Sequence, residues 1–133
     1  MSKFASMELA VEQPSRMTIR HFATGQPLDG WLDLLSFDSE VARQYDIEIA
    51  RKNIQQRVTR VTPEMQEEQA IGRLAALTTG WKLVGLDGSP LDVPFNAKNA
   101  VELYASNGMK WLREQAAVWV TDRANFTGAS SKS

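Results

Sequence analysis

The apolar pattern of this chain changes period once, near Asp38, and that change limits what it can fold into. Before it, residues alternate: Thr18, Arg20 and Phe22 fall on one side of an extended segment, Met17, Ile19 and His21 on the other. After it, Ile47, Ala50, Ile54, Val58 and Val61 recur at steps of three and four, the spacing of one helical stripe. A strand-forming front and a helix-forming remainder predict a mostly helical α+β fold, with an N-terminal β-hairpin followed by about four helices. At 133 residues the chain has enough length for a single core.

Local signals set the expected boundaries. Residues 1–36 read as an extended arm closed by Pro14, then a hairpin whose strands, Met17–Phe22 and Gly30–Ser36, flank the Ala23–Pro27 turn. The helical part is expected over 38–126, which with the arm and hairpin makes one domain of residues 1–126; a disordered tail is expected over 127–133. Asp38 is placed to cap the first helix, whose stripe is expected to be buried, and Glu40 meets the positive end of its dipole. Thr62-Pro63 starts a second helix with Ala70, Leu74 and Leu77 on its apolar face and Gly80 as its stop. Asp87-Gly88 and Ser89-Pro90 mark a turn between two very short strands. Asn96 caps a third helix that breaks at Asn107-Gly108. A fourth, from about Met109 to Arg123, carries Trp111, Leu112, Gln115, Val118 and Trp119 on one face.

Composition removes several chemistries. Cysteine is absent and His21 is the one histidine, so disulfide frameworks, thiolate zinc sites and a Ser-His-Asp triad lack their parts. Asp87 and Asp92 flank a turn that has no closing Glu for calcium, and the glycines form no phosphate-binding pattern. No catalytic residue, metal or cofactor is therefore expected. Arg51, Lys52, Arg57 and Arg60 would suit phosphates, but Asp46 and Glu48 dilute the patch and a solvated helix face explains it as well. With 15 basic and 16 acidic residues the net charge is −1, which favours neither nucleic acid nor an anionic surface. The first residues lack the apolar core of a secretory leader and no window has a membrane helix's length, so a cytoplasmic product is expected.

Four tryptophans are more than a core of this size readily buries with every indole N–H satisfied. Trp111 and Trp119, eight residues apart, lie on one helical face about two turns from each other. Their ordinary role is core packing. The alternative is an apolar surface for a partner, built from Met65, Leu74, Met109, Trp111, Val118, Trp119 and Phe126.

Three stretches resemble one family. TIRHFATGQPLDGWLDLLSFDSE (18–40), LTTGWKLVGLDGSPLDVPFNAKNAVELY (77–104) and WLREQAAVWVTDRANF (111–126) are similar, in order, to the opening, centre and closing helix of small tail-assembly chaperones of long-tailed bacteriophages. The matching positions are Gly80, Trp81, Asp87, Gly88, Pro94 and Phe95. The resemblance implies structural roles there: the glycine ends a helix, and Trp81 and Phe95 anchor a loop to the core. It also implies a non-enzymatic protein of the host cytoplasm that holds the tape-measure protein soluble and is absent from the finished virion. In such families a longer, frameshifted form recruits tail-tube protein, and a homo-oligomer is a further expectation. The competing readings are a structural tail or head–tail joining protein retained in the virion, and a small nucleic-acid-binding regulator using the Arg51–Arg60 face.

Overall fold

The structure, a computed structural model, describes residues 3–128. Strands β1 (Ser15–Arg20) and β2 (Pro27–Leu34) form the expected hairpin, and β3 (Thr78–Lys82) joins them in an antiparallel sheet of order β1-β2-β3. The helices are α1 (Glu40–Gln55), α2 (Pro63–Leu77), α3 (Ala97–Ala105) and α4 (Lys110–Thr121), with 3₁₀ turns at Asn107–Met109 and Arg123–Phe126. The α+β expectation holds, with one more strand than the hairpin supplied.

The sheet is two-faced because its residues alternate. Met17 and Ile19 of β1 and Leu32 and Leu34 of β2 are buried on the inner face, where Ile71, Leu74 and Leu77 of α2, Ala100 and Tyr104 of α3, and Leu112, Ala116 and Val120 of α4 complete the core. On the outer face Arg16 pairs with its cross-strand partner Asp33 through two bonds of 2.9 and 3.1 Å. Its guanidinium also lies 3.6 Å from the centre of the Trp31 ring. Trp31 thus serves the exposed side of the sheet.

Five features depart from the sequence expectation. Ser39, not Asp38, caps α1, accepting from the Ala42 amide; Asp38 is held by Arg123 at 2.7 and 3.1 Å, hydrogen bonds that keep its carboxyl below the usual range. The stripe Ile47–Val61 is not buried: Ile54 is 77% exposed, and Ala42 alone among the residues of α1 is fully enclosed. The reason is where the helix is held. Tyr45 lies across Gly72 of α2, so α1 packs by the opposite side to its stripe. Gly80 does not stop α2, which ends when Thr78 turns extended and enters β3 without a loop, its hydroxyl donating to the Leu74 carbonyl at 2.8 Å. Ala70, placed on the apolar face, is exposed. Of the two short strands expected around the Asp87 turn, the structure has a single bridge, Val84 with Pro90.

The arm before β1 is tied down at two points. The Ala10 amide donates to the Phe126 carbonyl at 2.7 Å, and the Glu12 carboxylate accepts from the Glu40 amide at the start of α1. The expected tail overlaps the described chain at Thr127 and Gly128; residues 129–133 lie outside the described residues.

Candidate functional site

The hairpin turn and α4 together shape an open groove of about 540 Å³. On the turn, the His21 amide donates to the Gln26 carbonyl and the Gly25 amide to the His21 carbonyl, each at 2.9 Å, while Gly25 takes a φ of 71°. The His21 Nδ1 accepts from the Ala23 and Thr24 amides at 3.1 and 3.4 Å, so this imidazole organises the turn. That leaves Phe22 pointing outward, stacked on His21 at 4.6 Å between centroids and tilted against Trp111 at 6.1 Å.

Across from the turn, Trp111, Gln115, Val118 and Trp119 of α4 line the other wall. Gln115 forms the junction: its Oε1 accepts from the Arg20 amide at 3.1 Å and its Nε2 donates to the Arg20 carbonyl at 2.7 Å. Phe22 is 61% and Val118 69% exposed, and Arg20 and Glu114 place one charge of each sign at the rim. Beneath them the Trp119 Nε1 is sealed from solvent with no acceptor. An unsatisfied buried donor is unfavourable by about 1–3 kcal/mol.

The predicted partner residues do not form one surface. Trp111, Val118 and Trp119 meet in the groove, whereas Met109 lines a second hollow of about 240 Å³ with Trp81, Val93 and Leu103, on the other side of Trp111. Met65 sits between α1 and α2. Leu74 is 5% and Phe126 2% exposed, so both belong to the interior and offer no contact to a partner. Leu74 lies under α4 on the buried side of α2, and Phe126 is folded back by its 3₁₀ turn. Phe22, Gln115, Arg20 and Glu114 were missed. The signal for Phe22 was present, since an aromatic on the polar side of an alternating strand beside a turn has no core to enter.

The loop positions carried over from the resemblance have concrete local roles. Trp81 meets Phe95 edge-on at 5.1 Å and donates from Nε1 to the Val93 carbonyl at 2.8 Å. Gly88 has a φ of 85°, and the Asp87 carboxylate accepts from the Ser89 hydroxyl and amide at 2.6 and 3.0 Å, which lowers its pKa. The Pro94 carbonyl accepts from the Asn99 side chain at 2.9 Å. Gly80 sits mid-strand opposite Asp33. Arg51, of the basic set, is paired with Glu48 of its own helix.

Among the described residues no cluster of three His, Asp or Glu side chains stands ready for a metal ion, and no helix is long and apolar enough to cross a membrane. Compared with known protein families, curated proteins and solved structures, the chain matches none. What the groove offers chemically is aromatic and aliphatic surface with a charge of each sign at its edge.

Proposed function

We propose that this chain is a binding protein for another polypeptide: a tail-assembly chaperone that takes apolar side chains of a tape-measure protein into the groove between the hairpin turn and α4. The observation that supports it is the exposure of Phe22 and Val118 beside two half-buried indoles, apolar surface that folding has left facing water. A tape-measure protein is a long helical polymer that cannot cover its own apolar side before the tube forms around it. A holdase for it needs exposed apolar area rimmed by charge and no reacting group. On this reading the chain works in the host cytoplasm, leaves before the virion is complete, and through a longer form brings in tail-tube protein.

The test is co-expression with the tape-measure protein of the genome that encodes this chain. The wild-type chain should raise its soluble yield, and Val118→Asp should abolish the gain while the chain itself stays folded. Equal insolubility with and without the chain would overturn the reading. Its presence at fixed copy number in purified virions would replace it with a structural tail role.

A further inference from the structure

The apolar stripe that α1 turns away from the core has a geometry suited to its own copy. On α1 the side that meets α2 carries Tyr45 and Ile49, and at 100° per residue Ile47, Ala50 and Ile54 fall on the opposite side. Ile54 is 77% exposed, and Ala50 is exposed and small enough to let a second backbone approach. The charges around this stripe are segregated along the helix. Glu48 precedes its midpoint and Arg51 follows it, while Asp46 is turned toward α2, where it pairs with Arg73.

We propose that α1 is a self-association surface, pairing antiparallel with α1 of a second copy about a two-fold axis between Ala50 and Arg51. That register sets Ile47 against Ile54 of the other copy and Ala50 beside Arg51. It also brings Glu48 next to Arg51 across the seam. A parallel arrangement would align like charges instead; the antiparallel one is complementary to itself, as an isologous contact must be. Glu48 and Arg51 already bond within the helix at 2.5 Å, so the same groups are oriented along this face before pairing. A 16-residue helix gives a seam about 24 Å long; one helix against its copy over that length buries less than the ~1,200 Å² of a stable complex, so association depends on concentration.

Sedimentation equilibrium of the full chain across a concentration series tests this. The weight-average mass should climb toward twice that of the monomer. Ile54→Glu, at a position folding does not use, should raise the dissociation constant roughly tenfold or more, and Ile54→Leu should leave it unchanged. Glu48→Arg and Arg51→Glu should each weaken pairing, yet an equimolar mixture of the two should recover it. Within either variant the intrahelical pair stays like-charged, so recovery reports contact across the seam, and circular dichroism checks that the helix persists. A wild-type chain still monomeric at about 1 mM, an indifferent Ile54→Glu, or a mixture that fails to recover would each overturn the proposal.

Discussion

Gln115 grips Arg20 by both of its main-chain groups, receiving the amide hydrogen at 3.1 Å and returning one to the carbonyl at 2.7 Å. A side-chain carboxamide thus takes the place of a neighbouring strand at the outer edge of β1. It also fixes the distance between the hairpin and α4, and with it the width of the groove.

Replacing Gln115 with Ala removes both bonds and leaves two edge groups to water. The expected loss is about 1 kcal/mol of stability, read as a lower denaturation midpoint in urea with an unchanged slope. The fluorescence of Trp111 and Trp119 should move with it, because the wall they form is no longer held at the Arg20 end.

Two glycines in the sheet should respond in opposite ways. A methyl group on Gly30 would meet the Lys82 carbonyl oxygen at 2.7 Å, a backbone atom that cannot step aside. Gly30→Ala should therefore cost about 1–3 kcal/mol. At Gly80 the nearest neighbour would be an Asp33 carboxylate oxygen at 3.7 Å, ordinary contact, and Gly80→Ala should be tolerated. Thermal melts of the two variants decide the matter.

Tyr104 makes the fold sensitive to alkali. Desolvation pushes its hydroxyl up to about 12 from 10.0, against the smaller opposing effect of its 2.8 Å bond with the Thr78 hydroxyl. The unfolded chain then releases this proton before the folded one does. Stability is full below pH 10 and falls as pH rises toward 12, by about 3 kcal/mol in total. Tyr104→Phe should flatten this part of the pH–stability curve, measured by urea titration at each pH.

The indoles separate by whether their N–H has a partner. Trp81→Phe deletes the bond to Val93 and loosens the 86–95 loop, whereas Trp119→Phe deletes a donor that bonds to nothing. Trp119→Phe should be the milder of the two by about 1 kcal/mol, even though its ring is packed against the core. Equal losses in the two variants would contradict this account.

The fold was legible in the sequence where one signal decided each element. Thr62-Pro63 and Asn96 start α2 and α3 as read, because a capping oxygen and a missing amide act within a few bonds. The third strand was hidden because Thr78 and Thr79 continue the apolar rhythm of α2, and only pairing with β2 draws them into extended form. The Ile47–Ile54 stripe was correctly periodic and wrongly assigned to the interior. Period reports a shared face but not what the face meets, and here Tyr45 and Gly72 chose the other side. In the groove, Trp111, Trp119 and Val118 were found from α4 alone. Gln115 was not, because its importance rests on a contact with Arg20, 95 positions away in the chain, and Phe22 was passed over although its place on the polar side of an alternating strand marked it.

The bond from the Ala10 amide to the Phe126 carbonyl has a practical outcome for anything built onto this molecule. It sets Ala10 and Phe126 side by side, so a link between those two positions has only a short gap to span. Joining Phe126 to Ala10 with a few residues and cutting the Asp87-Gly88 turn should yield a rearranged polypeptide with the same interior.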